Sequence, residues 1–117
     1  MEPAFLFGSI RPGSEHPESG WYRVTVPAEL REIVPRFIEE MKDFRRIIVS
    51  ALEQGDTEAI RQTGHKIKGT GGSYGFQVLS DSGASIENAA RNGDMNEVRS
   101  QLVKLNDYLD HMEVFYE

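Results

Sequence analysis

The chain has 117 residues, the length of one domain, and a chain of this size buries roughly two-thirds of its unfolded surface, enough for a single core. Its 13 Lys and Arg against 19 Asp and Glu leave a net charge of −6. With a pI of about 5.1, this argues against nucleic acid or an anionic membrane surface as partner, because both call for a basic face. No apolar run approaches the ~20 residues of a membrane helix, Met1 to Ile10 carries Glu2 and no Lys or Arg and makes a poor signal peptide, and the absence of cysteine excludes disulfides, thiol nucleophiles and Cys-held metals. The expectation is a soluble, acidic, cytoplasmic domain, monomeric, with a mean hydropathy of −0.47.

Residues 1–27 read as an extended or partly disordered arm, and residues 28–117 as the folded domain. Pro3, Gly8, Pro12, Gly13, Pro17 and Gly20 break helices, although Phe5, Leu6, Phe7 and Ile10 are apolar enough to dock. Trp21-Tyr22-Arg23-Val24-Thr25-Val26 is β-prone but has no second convincing strand to pair with. It is expected as an extended segment packed near the chain's other end, Val114-Phe115-Tyr116, with Trp21 partly buried.

From Ala28 the pattern turns helical. Ile33, Phe37, Met41, Phe44, Ile48 and Leu52 recur every three or four residues, and Pro35 marks either a first turn or a kink after a short lead-in. Gly55-Asp56 is a stop followed by a cap. A second helix is expected from about Thr57 to Ser73, a tight turn at Ser73–Phe76, and a third helix from about Gln77 to Arg91. Asn92-Gly93-Asp94 ends the third helix and caps a fourth, about Met95 to Met112, with Val98, Leu102, Leu105, Leu109 and Met112 on its stripe. Four amphipathic helices with short connections predict an all-α, antiparallel up-down-up-down bundle with an N-terminal arm.

The second helix breaks a local rule. Gly64, Gly69, Gly71 and Gly72 lie inside it, each costing about 1 kcal/mol relative to Ala. At about 100° per residue, Gly69, Gly72, Arg61 and Lys68 all fall within about 60° of His65, while Ile60, Ile67 and Tyr74 lie on the opposite, core-facing side. His65 therefore points to solvent beside a cation, on a surface stripped of side chains. An imidazole is a good nucleophile at neutral pH. Neighbouring glycines let a partner's surface approach, and an ammonium three residues on can stabilise phosphoryl oxygens. The plain reading, an exposed His and Lys on a weak helix, leaves the clustered glycines unexplained.

His65-Lys66-Ile67-Lys68-Gly69-Thr70-Gly71-Gly72-Ser73-Tyr74-Gly75-Phe76 resembles the motif of histidine-containing phosphotransfer domains. The resemblance extends from about Glu29 to Tyr108, including Gly55-Asp56 and Ile86-Glu87-Asn88-Ala89-Ala90, and leaves the arm outside. It implies a four-helix bundle exposing a phosphoacceptor on the second helix. By resemblance His65 would accept phosphate on Nε2, Lys68 would contact the phosphoryl oxygens, and Gly69 would give the partner clearance. Arg61, Gly64 and Gly72 complete the expected partner-facing surface. Twenty-two residues after the histidine, where several family members place Gln or Glu, stands Glu87. A carboxylate there would hold Nδ1–H and leave Nε2 free. Glu at this place resembles the chemotaxis histidine kinases, whereas several relay domains carry Gln.

His16 falls in the arm, and His111 stands one turn after Asp107, the spacing of a surface pair with no further metal ligand suggested. Asp81-Ser82-Gly83 lacks the strand of a hydrolase elbow, and there is no phosphate-binding loop or kinase nucleotide motif. The expected function is a phosphocarrier of two-component signalling. It would exchange a phosphoryl group with a receiver-domain aspartate or a histidine kinase, with Mg²⁺ on the receiver and no cofactor or metal of its own. The alternatives are a phosphate-independent module docking on a receiver or kinase, and a plain structural bundle.

Overall fold

A computed structural model describes residues 21–117. Phe5, Leu6, Phe7 and Ile10, apolar enough to dock, and His16 of the arm lie outside the described residues. In chain order the elements are β1 (Tyr22–Val26), a 3-10 turn (Ala28–Leu30), α1 (Val34–Gln54), α2 (Thr57–Ser73), α3 (Gln77–Arg91), α4 (Met95–His111) and β2 (Met112–Tyr116).

The helix boundaries follow from capping chemistry. Pro35 sits in the first turn of α1, where its missing N–H has no helical partner to lose, and the 3-10 turn before it is the short lead-in. Gly55 ends α1 with φ of 68°, donating its N–H to Ala51 and Leu52 carbonyls. Asp56 then accepts the Ala59 N–H at 3.0 Å to open α2, and Asp94 accepts the Glu97 N–H at 3.0 Å to open α4. Connections of a few residues place successive helices side by side, and α1 closes on α4 to complete an all-α four-helix bundle.

The core is the predicted set of stripes. Met41, Ile48, Ile60, Ile67, Ile86 and Leu105 are fully buried. Phe37 stacks on Tyr74 with centroids 4.6 Å apart and meets Phe76 at 4.7 Å, so the turn after α2 is pinned to α1. Two stripe positions differ from expectation. Ile33 precedes α1 and stays exposed, and Met112 belongs to β2 because the backbone turns extended there.

The main difference is the second strand. β1 and β2 pair in parallel, Tyr22 opposite Met112 through Val26 opposite Tyr116, and backbone hydrogen bonds continue from Glu117 to Val26 and Ala28. Parallel strands need a long crossover, and here the entire bundle is that crossover. Val24 and Val26 are buried in the core cluster, so the end of the expected arm is part of the folded body. Tyr22 donates its hydroxyl to Asp107 Oδ2 at 2.5 Å. Trp21 meets the His111 ring edge-on at 5.8 Å but stays 45% exposed.

Candidate functional site

α2 buries Ile60, Thr63, Gly64, Ile67 and Gly71 and presents His65, Lys68, Gly69 and Gly72 to solvent. The exposed imidazole reaches across to α3, where its Nδ1 lies 3.1 Å from Glu87 Oε2. Ring and carboxylate differ sharply in environment, with the His65 side chain 64% exposed and the Glu87 side chain 7%. With Nδ1–H donating to the carboxylate, Nε2 carries the lone pair on the ring's other side.

The close approach of α2 and α3 makes this contact possible, and buried glycines allow it. A Cβ on Gly64 would stand 2.8 Å from the Glu87 nitrogen, and one on Gly83 would stand 2.7 Å from the Gly64 carbonyl oxygen. Gly71 meets the Ser80 nitrogen in the same way, at 3.0 Å. Ser80 also donates its hydroxyl to the Lys68 carbonyl at 2.9 Å, tying α3 to the turn of α2 that carries the cation.

The glycines therefore divide into two groups. Gly64, expected on the partner-facing surface, is buried against α3; its position about 100° from His65 puts it on the flank that α3 covers. Gly69 is open, with nothing within 4 Å of where a Cβ would be, and Gly72 is open except for the Ser80 hydroxyl at 3.4 Å. Arg61 is folded onto Glu58, its Nε and Nη2 donating at 3.0 and 2.6 Å; this pair holds the Glu58 carboxyl down to about 2.

Glu87 has three partners. Besides His65, Lys68 Nζ stands 3.7 Å from Oε1 and Arg91 Nη2 stands 3.2 Å from Oε2. Burial pushes the Glu87 carboxyl up, but the His65 hydrogen bond and the charges of His65, Lys68 and Arg91 outweigh it, so the net direction is below the ordinary carboxylate range. A buried carboxylate ringed by donors stays ionised and holds an imidazole in one tautomer. Arg91 did not emerge from the sequence analysis, although its spacing four residues after Glu87 is the helical ion-pair spacing.

The other candidates are placed plainly. His111 Nδ1 lies 3.1 Å from Asp107 Oδ1 at the far end of α4 from its cap, in the pair that the spacing predicted. Among the described residues no cluster of three or more His, Asp or Glu side chains is arranged to hold a metal, and no helix is long and apolar enough to cross a membrane. Gly83 of Asp81-Ser82-Gly83 is a mid-helix packing residue.

Searches of curated proteins and of solved structures match nothing. A family model described as Hpt domain matches residues 32–114, a span that runs from the start of α1 through α4 and includes His65, Lys68 and Glu87. Four helices, an exposed histidine on the second and a family match over most of the chain agree, and the protein belongs to the Hpt domain family, whose members are phosphocarriers of two-component signalling.

Proposed function

We propose that His65 is the phosphoacceptor, taking a phosphoryl group on Nε2 from a receiver aspartate or a histidine kinase and passing it to a receiver aspartate. The observation that carries this reading is the 3.1 Å contact between the exposed His65 ring and the buried Glu87 carboxylate. In the forward step the Nε2 lone pair forms the N–P bond. The P–O bond of the aspartyl phosphate breaks, and its electron pair stays on the leaving carboxylate. Nδ1 keeps its proton, so the ring gains a positive charge that Glu87 opposes. Lys68 neutralises the phosphoryl oxygens as charge moves, and Gly69 and Gly72 let the partner's surface reach the ring.

Acyl phosphate and phosphoramidate are both high in transfer potential, so the step runs in either direction. The chain carries the group stoichiometrically and needs no resident cofactor. Mg²⁺ neutralising the transferring group belongs to the receiver.

Incubation with acetyl phosphate or a phosphorylated receiver, followed by intact mass, tests the reading. One acid-labile phosphate on the parent chain and none on a folded His65→Gln variant supports it. Normal phosphorylation of that variant overturns it. A parent chain that binds a receiver yet takes no phosphate is instead a phosphate-independent docking module.

A further inference from the structure

Lys68 has two tasks that compete. In the phosphate-free protein its ammonium serves as a counter-charge to Glu87 at 3.7 Å, a distance beyond an ordinary hydrogen bond. During transfer the same ammonium is wanted by the phosphoryl oxygens on the Nε2 side of His65. Removing a partner from a buried carboxylate is strongly unfavourable unless another cation remains. Two other cations lie close by. Arg61 is committed to Glu58 by two hydrogen bonds. Arg91 donates to Glu87 Oε2 at 3.2 Å, the same oxygen that faces His65 Nδ1 at 3.1 Å.

We propose that Arg91 holds Glu87 as its standing counter-ion, so that Lys68 is released to the phosphoryl group while Glu87 keeps the His65 ring oriented. The proposal rests on the reading of His65 as phosphoacceptor, and it makes Arg91 a positioning residue. The division of labour follows from side-chain chemistry. Arginine has a planar, pre-organised fork, whereas lysine carries a compact charge on a flexible stem and changes partners readily. Arg91 also stands in the last turn of α3, where the helix dipole and the i,i+4 spacing to Glu87 both favour a cation. Its side chain is 55% exposed, so truncating it removes the ion pair without opening the core.

The test is the rate of phosphate uptake from acetyl phosphate, followed by intact mass, in the parent, Arg91→Ala, Arg91→Lys, Lys68→Ala and the Arg91→Ala/Lys68→Ala double variant. Arg91→Ala should slow uptake roughly 5-fold, the scale of coupling within one ion-pair network, and Arg91→Lys should restore most of it. Loss of Lys68 should cost less in the Arg91→Ala background than in the parent, because without Arg91 the lysine is detained on Glu87. In the phosphate-free protein, Arg91→Ala should also raise the titration midpoint of the Glu87 carboxyl carbon by NMR. An unchanged uptake rate, or strictly additive losses, overturns the proposal alone. A parent chain that takes no phosphate overturns it together with the His65 reading.

Discussion

Gly83 of α3 lies directly against the backbone of Lys68 in α2, so that a side-chain carbon at residue 83 would overlap the Lys68 nitrogen and crowd the Gly64 carbonyl. Together with Gly64 and Gly71, it sets the spacing at which Glu87 meets His65. The approach of α2 to α3 is thus set where the two backbones meet without side chains between them.

Substituting these glycines should separate packing from exposure. Gly83→Ala forces two backbones apart and should destabilise the domain by about 1–3 kcal/mol, while weakening the His65–Glu87 contact. Gly69→Ala meets nothing and should stabilise α2 by up to about 1 kcal/mol. Chemical denaturation of both variants checks the opposite signs.

Gly69→Leu tests partner clearance. The site is open on the protein itself, so a leucine there should leave the fold and the reaction with acetyl phosphate intact. Transfer from a phosphorylated receiver should slow, because the larger partner must pass over this turn. Equal losses with both donors would mean that residue 69 acts on the histidine rather than on docking.

Deleting residues 1–26 removes β1 with the buried Val24 and Val26. Each buried valine contributes on the order of 1.5–3 kcal/mol, so the melting temperature should fall by more than ~10 °C in a domain of this size. Phosphate uptake per folded molecule should persist, since the site lies on α2 and α3. An unchanged melting temperature would show that the strand pair adds nothing to stability.

Alkaline stability should be limited by two tyrosines. Burial, the hydrogen bond to Asp107 and the Asp107 charge all push the Tyr22 hydroxyl well above its ordinary value of about 10, and burial, then Tyr22, does the same to Tyr108. Their folded pKa values exceed the unfolded ones. The stabilisation is therefore complete below about pH 10 and is lost as the pH rises past the point where unfolded tyrosines ionise. Melting temperatures measured from about pH 9 to 11 should fall, and Tyr22→Phe should flatten the fall.

The sequence by itself determined the four helices, because each carries a 3.6-residue apolar stripe and a local stop or cap: Gly55-Asp56, Gly93-Asp94, Pro35. It also determined which face of α2 carries His65, since Ile60 and Ile67 claim the other. Tertiary structure alone decided three things. It turned the expected packing of Trp21–Val26 near Val114-Phe115-Tyr116 into a parallel strand pair, because backbone pairing between opposite ends of the chain is invisible to any local window. It sorted the glycines of α2 into buried Gly64 and Gly71 and open Gly69 and Gly72, because which flank α3 covers depends on how two helices cross. And it set the distances at which His65 and Lys68 meet Glu87, a carboxylate that the family resemblance already places beside His65 and that helical spacing places beside Arg91, because backbone contact at Gly64 and Gly83 fixes how close α2 comes to α3.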